Sequence, residues 1–316
     1  MGTPDFAKAS LEAIYDSGYE IVGVVTKPDV LSGRGMKLTE SDVKKFAIEK
    51  GLKIYQPERV KDNIEFIDKV KEINPDIICV VAYGKILPKE LLEIPAKGCI
   101  NVHGSLLPKY RGAAPIQWAR LNGDATTGIT TMYMNEKMDE GDIILQKETR
   151  IGEYETVGEL WDRLAVIGAN LLVETVKQIE EGTAPRIKQK GESSIAPMLD
   201  KSIAKIDFSK SIKEIKNKIY GLNPIMGAYA LYNGRKIKFW RVEILDNRQA
   251  STITLKDITE EIRPGEIVLA NDKQGLFIKA IGGVLKITEI QGENSKRMNT
   301  CDFLRGNSLE IGENFV

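Results

Sequence analysis

Apolar positions along the first 180 residues follow two alternating patterns. Short runs of consecutive apolar residues predict buried strands, and between them apolar residues recur every three or four positions, as on amphipathic helices. The predicted strands cover residues 21–25, 76–81, 99–102 and 129–134, and the predicted helices cover residues 4–15, 43–50 and 157–181. Near-continuous apolar strands that alternate with helices indicate an α/β fold with a mainly parallel sheet, covered by helices on both faces.

The pattern changes after residue 182. The segment that follows is rich in Pro, Gly and Ser, a composition typical of a linker. Beyond it, Asn233-Gly234 and Gly282-Gly283 each separate two short apolar runs, and such pairs are strong hairpin signals. Strands at this spacing are typical of a small barrel. We therefore predict a first domain at 1–182, a linker at 183–205 and a β-rich second domain at 206–316.

The chain begins with a turn that enters a helix, Met1-Gly2-Thr3-Pro4, where an α/β sheet normally opens with a central strand. Without that strand, the strands around 22–25 and 77–81 would face each other across a gap. Unpaired backbone groups in such a gap cost about 1–3 kcal/mol each if they are buried. We therefore expect that the native gene product starts upstream of Met1. On this hypothesis the chain as given is either truncated or repaired by a shifted N-terminus, and an added Val/Ile-rich strand would stabilise it.

Composition and charge exclude some classes of function. Lys plus Arg and Asp plus Glu number 45 each, and a net charge of zero argues neither for nor against nucleic acid. One histidine and three widely spaced cysteines form neither a zinc pattern nor a disulfide framework. No apolar run reaches the length of a membrane span, and the N-terminus lacks the features of a signal peptide. We therefore expect a cytoplasmic protein with no metal.

The single histidine, His103, lies at the end of the predicted strand 99–102. Histidine is the side chain whose unperturbed pKa lies near neutrality. Asn101 is two residues away, so both side chains point to the same face of a strand. Ligands of open α/β sheets bind beyond the carboxyl ends of the strands, where an amide and an imidazole can stabilise a developing oxyanion. We interpret the pair as catalytic rather than structural.

A third candidate, Asp139, follows the predicted strand 129–134 and can therefore lie at the same edge of the sheet. A carboxylate there would hold His103 in one tautomer and favour its protonated form. The alternative is a solvated acidic turn, and spacing alone does not separate the two.

Two basic segments are candidates for contact with nucleic acid. Arg34 and Lys37 lie in a glycine-containing loop, which fits either a flexible arm for phosphates or an ordinary surface loop. Between residues 205 and 241, nine Lys or Arg accompany two acidic residues, with aromatic residues interleaved. Such a run is usually a solvated face, but a small barrel with basic and aromatic strands is also a nucleic-acid platform. The lysines of this segment that we select are Lys205, Lys236 and Lys238.

Several motifs together resemble one enzyme family. Asn101-Val102-His103-Gly104-Ser105-Leu106-Leu107-Pro108, followed by Tyr110-Arg111-Gly112 and Met138-Asp139-Glu140-Gly141-Asp142, resembles the 10-formyltetrahydrofolate-dependent formyltransferases. The resemblance extends over essentially the whole chain. Its other parts are Gly2-Thr3-Pro4-Asp5-Phe6, Gly33-Arg34-Gly35, residues 80–88, residues 223–240 and Phe303-Leu304-Arg305-Gly306.

The resemblance implies a Rossmann-like formyltransferase domain followed by an open barrel similar to an OB-fold. It implies transfer of a formyl group from 10-formyltetrahydrofolate, as donor substrate, to the α-amino group of methionyl initiator tRNA, with no metal and no membrane. Asn101, His103 and Asp139 would be catalytic. Folate would contact Tyr83, Gly84, Ile86, Leu87, Ser105, Leu106, Leu107, Pro108 and Asp142. The tRNA would contact Arg34, Lys37, Lys205, Lys236 and Lys238.

Other functions stay open at this point. The same domains occur in formyltransferases that act on nucleotide amino-sugars and in modules that hydrolyse formyltetrahydrofolate. The arginine loop and the basic barrel favour tRNA over these. A non-catalytic RNA-binding protein is a third alternative, against which the intact Asn101, His103 and Asp139 argue. A dehydrogenase would fit a Rossmann-like sheet, but no nucleotide-binding glycine fingerprint is present.

Overall fold

A computed structural model describes residues 1–32, 37–254, 258–259 and 261–316. The chain packs into two compact units, each formed by three separate segments. The first unit comprises Met1–Ile116, Thr126–Arg150 and Leu160–Met198. The second unit comprises Gln117–Ala125, Ile151–Glu159 and Leu199–Val316. The boundaries near 182 and 205 inferred from the sequence stay a prediction.

The first unit alternates helices and strands as the apolar pattern predicts. Its helices are α1 (Asp5–Asp16), α2 (Asp42–Glu49), α3 (Ile64–Ile73) and α4 (Lys89–Leu92), and two more, α5 (Pro115–Asn122) and α6 (Val157–Glu180), have residues in both units. Its strands are β1 (Val24–Val25), β2 (Val30–Ser32), β3 (Lys37–Thr39), β4 (Ile54–Tyr55), β5 (Ile78–Val81), β6 (Cys99–His103), β7 (Thr126–Tyr133) and β8 (Ile143–Arg150).

The sheets of this unit are of mixed direction. β1 pairs in parallel with β4, and β5 pairs in parallel with β6. Beyond β6 the sheet continues with β7 and β8, which run antiparallel. The predicted fold class, α/β with a parallel-rich sheet followed by a β unit, is confirmed. The strand near 129–134 is where the expected parallel direction is wrong, because an apolar run reports burial and carries no information about direction.

Among the strands of the described chain, β1 pairs with β4 and β5 pairs with β6, and β1 and β5 do not pair with each other. That a strand is missing between them stays a prediction. Met1 and Gly2 bridge the two strands at one end: the Gly2 amide donates to the Val25 carbonyl and the Met1 carbonyl accepts from the Val81 amide, both at 2.9 Å. Behind this bridge lies a cavity of about 330 Å³. Its lining is mainly apolar and does not include Asn101, His103 or Asp139.

Two hydroxyl groups beside this cavity lack partners. Ser10 and Tyr55 both line it, and the side-chain oxygen of each is buried with no hydrogen bond to the described residues. Gly2 itself has no room for a side chain, since a Cβ there would lie 2.7 Å from the Val81 carbonyl oxygen. The backbone at Gly2 is therefore closely packed, whereas the neighbouring cavity leaves space and two hydroxyls without partners among the described residues.

The second unit is dominated by a β-sheet. Its strands are β9 (Ala228–Tyr232), β10 (Arg235–Leu245), β11 (Ile267–Asn271), β12 (Gly275–Ala280), β13 (Gly283–Gln291) and β14 (Met298–Asn299). Its helices are α7 (Ile212–Gly221), α8 (Asn247–Thr254) and α9 (Thr300–Leu304), with a 3₁₀ turn at Lys201–Ala204. Both predicted hairpins, β9–β10 and β12–β13, are confirmed, with the positive φ of Asn233 and Gly234 forming the first turn.

The last residues of the chain close this sheet into a barrel. The strand order is β11-β12-β13-β10-β9, which leaves β11 and β9 at opposite edges. Ile267 at one edge donates to the Glu313 carbonyl at 2.8 Å, and Leu231 at the other edge exchanges two hydrogen bonds with Val316. Phe239 and Phe315 pack edge to face in the interior, with ring centroids 5.3 Å apart. Closure removes the free strand edges that an open sheet would present.

Arg120 joins the three segments of the second unit. Its side chain is buried, at 3% exposure, and burial lowers the pKa of its guanidinium. The guanidinium donates to the carbonyls of Glu153 and Glu155 and to Oδ1 of Asn217. A buried cation must be matched by acceptors in this way, because an unmatched one is costly. No helix in the described parts of the chain is long and apolar enough to cross a membrane.

Candidate active site

Strand β6 sets the direction of Asn101 and His103. Its backbone is bonded on one side to β5 and on the other to β7, where His103 lies opposite Thr130. The two side chains are two residues apart and so share a face of the strand. The strand ends at His103, whose side chain is only 6% exposed. Both groups therefore stand at the carboxyl edge of the parallel pair, as the sequence predicts.

Hydrogen bonding orients the imidazole of His103. Its Nε2 lies 2.8 Å from the carbonyl oxygen of Tyr110. A carbonyl oxygen can only accept, so Nε2 carries a hydrogen and donates it. Nδ1 lies 3.7 Å from Oδ2 of Asp139. Nε2 is therefore bonded to the backbone, and Nδ1 is the ring nitrogen that faces the carboxylate.

The Asp139 carboxylate lies where three elements meet. Its Oδ1 accepts from Nδ2 of Asn101 at 3.4 Å, and its Oδ2 accepts from the backbone amide of Gly112 at 2.8 Å. The backbone of Asp139 is in the left-handed region, with φ of 54°. The structure thus brings Asn101, His103 and Asp139 together, and their catalytic roles stay a prediction.

The loop after β6 is held by a buried hydroxyl. Oγ1 of Thr130 donates to the Ser105 carbonyl at 2.6 Å and accepts from the Leu107 amide and from Nε2 of Gln146. Thr130 is fully buried. The Ser105 hydroxyl donates to the Lys109 carbonyl at 2.6 Å, which closes the loop on itself. This loop ends at Tyr110, so the same network places the acceptor of the His103 hydrogen bond.

The residues predicted to contact folate occupy two loops and one turn. In the loop after β5, Tyr83 and Leu87 are buried, while Ile86 is 80% exposed. In the loop after β6, Ser105 and Leu107 are buried. Half-buried members of the set are Leu106, Pro108 and Asp142, and Gly84 adopts a positive φ. Their contacts with folate stay a prediction.

Tyr83 is the unusual member of that set. Its side chain is 1% exposed and its hydroxyl has no partner among the described residues. Burial raises the pKa of Tyr83 to about 12, so the phenol is neutral at physiological pH. A buried hydroxyl without a partner is uncommon. The described residues therefore leave the Tyr83 hydroxyl without an acceptor.

The residues predicted to contact tRNA differ in their availability. Arg34 and the side chain of Lys37 lie outside the described residues, and Lys205 is exposed. Lys236 is exposed, with its ammonium 4.0 Å from the ring centroid of Tyr229. The Lys238 ammonium donates to the Met226 carbonyl at 2.7 Å, and burial together with Lys236 lowers its pKa. Lys236 is therefore freer than Lys238 to meet a phosphate.

We refer to Asn101, His103 and Asp139 as the trio. Several groups around the trio were not predicted from the sequence. They are the Tyr110 carbonyl, the Gly112 amide, and the side chains of Arg111 and Gln189. The first three belong to residues 110–112 of the motif quoted above. Tyr110 and Gly112 contact His103 and Asp139 through backbone atoms, and the Arg111 side chain bonds to Gln189. Gln189 lies within the predicted linker, where composition signals only a loop. The described residues contain no group of three or more His, Cys, Asp or Glu side chains able to hold a metal ion.

Comparison with known proteins decides the family. Residues 1–176 match the family described as formyl transferase, and residues 198–308 match its C-terminal domain. The chain belongs to the formyl transferase family. Among similar members, the methionyl-tRNA formyltransferase of Clostridioides difficile is 49% identical over 314 residues, covering 99% of this chain and 97% of that protein. The methionyl-tRNA formyltransferase of Caldanaerobacter subterraneus is 44% identical over 313 residues, with the same coverage of both chains.

Solved structures with lower sequence identity show the same fold. The N-formyltransferase of Helicobacter canadensis, solved with folinic acid and dTDP-3-aminofucose, matches with a TM-score of 0.67 and 22% identity over 92% of this chain and 97% of that one. HypX of Aquifex aeolicus in complex with tetrahydrofolic acid matches with a TM-score of 0.58 and 16% identity, covering 84% of this chain and 47% of that one. At such identities the likeness concerns the fold alone.

Proposed function

We propose that this enzyme transfers a formyl group from 10-formyltetrahydrofolate to the α-amino group of methionyl initiator tRNA, at the start of translation. The observation that carries the proposal is the 49% identity to a methionyl-tRNA formyltransferase over 99% of the chain. The convergence of Asn101, His103 and Asp139 supports it, because formyl transfer needs the donors and the carboxylate found there. Translation initiation is a cytoplasmic process, and we expect the enzyme in that compartment.

The reaction exchanges one carbon–nitrogen bond for another. The substrate amine attacks the formyl carbon, whose oxygen becomes negatively charged in a tetrahedral intermediate. The bond between that carbon and N10 of the folate then breaks. One proton leaves the amine and one arrives at N10, so no other reactant is needed. The enzyme must therefore stabilise one oxyanion and move one proton.

The geometry of the trio suits both tasks. Asn101 directs one amide hydrogen to Asp139, which leaves the second for the oxyanion. An N–H at Nδ1 of His103, which lies 3.7 Å from Oδ2 of Asp139, would be the other donor. Asp139 is also the carboxylate that can accept the proton of the attacking amine. Such preorganised donors typically contribute about 10²–10³ in rate each.

We place the folate against the loops after β5 and β6, with Asp142 nearby. The neutral hydroxyl of Tyr83 offers a donor to a polar atom of the donor substrate. Tyr83→Phe removes that donor with little change in volume. We expect the KM for 10-formyltetrahydrofolate to rise severalfold while the KM for charged tRNA stays constant.

We place the tRNA on the exposed basic residues of the barrel and on the Arg34 loop. Lys236→Glu should weaken tRNA binding and lower the slope of log affinity against log salt by about one, as expected for one lost phosphate contact. Lys238→Glu should matter less, because its ammonium already donates to the Met226 carbonyl. Lys273→Glu is the control, since it makes the same charge change at an exposed turn of the second unit. If Lys236→Glu and the Lys273→Glu control bind tRNA equally well, the barrel serves only as a scaffold.

The direct test is an assay of formyl transfer by the purified enzyme. Charged initiator tRNA should be formylated in the presence of 10-formyltetrahydrofolate, and charged elongator methionine tRNA serves as the specificity control. A nucleotide amino-sugar tested in parallel covers the alternative acceptor, and release of formate without acceptor covers hydrolysis. Faster transfer to the amino-sugar than to the initiator tRNA would overturn the proposal.

A further inference from the structure

Gln189 connects two loops that carry the active-site trio. Its Oε1 accepts from Nη2 of Arg111 at 2.7 Å and from Nε of Arg111 at 3.2 Å. Its Nε2 donates to the carbonyls of Asp139 at 2.8 Å and of Gly141 at 3.0 Å. A side-chain amide has two hydrogens and two lone pairs. All four are used here, two on each loop.

The backbone around Gln189 is fixed to the same two loops. On one side, Ile187 exchanges two hydrogen bonds with Ile143, next to the Asp139 turn. On the other, the Ser194 carbonyl accepts from the Arg111 amide at 2.8 Å and the Ala196 amide donates to the Arg111 carbonyl at 2.7 Å. We name residues 187–196 the strap. Backbone hydrogen bonds fix the strap at both ends, and Gln189 lies between them.

Both loops need such support, because both hold residues in unfavourable backbone conformations. Asp139 and Tyr110 adopt φ of 54° and 60°, a region that non-glycine residues rarely enter. Such conformations persist only where the surrounding structure imposes them. Tyr110 supplies the carbonyl that holds Nε2 of His103, and Asp139 supplies the carboxylate that faces Nδ1. A relaxation of either loop would change the relation between the imidazole and the carboxylate.

We propose that Gln189 is a positioning residue of the formyl transfer reaction: it holds the Asp139–Gly141 turn against the Arg111 loop, so that the Asp139 carboxylate faces His103 and Asn101. The proposal rests on the proposed function. Gln189 acts through the backbone of Asp139. Its hydrogen bonds given above do not involve the side chains of the trio. Arg111 is held on its other side by Glu140, at 3.0 Å, so the connection continues into the turn itself.

Two substitutions distinguish the hydrogen bonds of the amide nitrogen from those of the amide oxygen. Gln189→Glu keeps an acceptor for Arg111 but loses both hydrogens and sets a negative charge against two carbonyl oxygens. Gln189→Met keeps the approximate volume and loses all four bonds. Glu192→Gln is the control within the strap, because Glu192 is exposed and makes no hydrogen bond or ion pair with the described residues.

The measurements are steady-state kinetics and the NMR chemical shifts of the imidazole of His103, which is the only histidine of the chain. We expect kcat to fall tenfold or more in Gln189→Glu and Gln189→Met, with KM for tRNA and folate changed by less than threefold. We also expect the NMR chemical shifts of the His103 imidazole to change in both variants, because a displaced Asp139 carboxylate would no longer face Nδ1. Asp139 is the charged group within 4 Å of the ring among the described residues, so the imidazole resonances report on its position.

The NMR spectra need no substrate, so they separate this proposal from the proposed function. Imidazole chemical shifts that change in the variants while no formyl transfer is detected in the wild type would leave Gln189 in its role and reject the reaction. Unchanged imidazole shifts in both variants, together with kcat within twofold of wild type, would overturn the positioning role. Loss of melting temperature with unchanged imidazole shifts would also overturn it, because Gln189 would then be a structural residue only. If Gln189→Met does not fold, Arg111→Lys removes the paired guanidinium bonds from the other side, and the same spectra apply.

Discussion

Two regions of the first unit differ in whether their buried polar groups have hydrogen-bond partners. At the edge beyond β6, each polar group described has partners: Thr130 has three, the Asp139 carboxylate has donors on both oxygens, and Gln189 uses its whole amide. Beside β1 and β5, the hydroxyls of Ser10 and Tyr55 have no partner among the described residues, next to a cavity of about 330 Å³. On the proposed function the first region positions the reacting groups, whereas the cavity of the second is not lined by Asn101, His103 or Asp139. Substitutions in the two regions should therefore differ in kind.

The largest effect is expected from the trio. His103→Ala removes a donor to the oxyanion, and kcat should fall by about 10²–10³ with a melting temperature close to that of the wild type. Asn101→Ala and Asp139→Ala should act similarly. Because the three groups act as a unit, the double variants should lose far less than the product of the single losses. Substantial activity in His103→Ala would remove the distinction between the two regions.

A matched pair of hydroxyl deletions tests the comparison directly. Thr130→Val removes three hydrogen bonds and leaves buried partners unsatisfied, so it should lower the free energy of unfolding by about 1–3 kcal/mol. Tyr55→Phe removes a hydroxyl that makes no bond within the described chain, so its effect should be within about 0.5 kcal/mol. Denaturant unfolding of both variants gives the two values. Equal losses would show that the Tyr55 hydroxyl has a partner in solution.

The smallest expected effect comes from filling the gap. A fused strand of about five Val/Ile-rich residues before Met1 would supply backbone partners to β1 and β5 and occupy the cavity. The melting temperature should rise by several degrees, since about 1 kcal/mol corresponds to roughly 2–4 °C in a domain of this size. The kcat should not change, because the cavity lining excludes the trio. A fused polar Gly/Ser segment of equal length is the control, and an equal rise with that segment would contradict strand pairing.

Features set by neighbouring residues could be predicted from the sequence. Helix α1, the hairpin at Asn233-Gly234 and the shared face of Asn101 and His103 depend on periodicities of a few residues. These predictions needed no knowledge of distant contacts.

Features that depend on distant pairing could not be predicted in this way. The antiparallel direction of β7 and the closure of the barrel by Val316 arise from contacts between segments far apart in the chain. Gln189 was missed for the same reason: its four bonds reach loops that lie at least 48 residues away. A segment of Pro, Gly and Ser residues signals a loop, and the pattern says nothing about what that loop holds.

The anchoring of Arg120 limits how the chain can be divided. Its guanidinium takes two acceptors from Ile151–Glu159 and a third from Asn217, so residues before the predicted linker complete the second unit. A fragment that starts at 206 would lack Arg120, and a fragment that ends at 182 would keep a buried guanidinium without Asn217. We therefore expect neither fragment to fold as an independent module. Recombination that exchanged one half of this gene for that of a distant relative would have to exchange the matching partners of Arg120 as well.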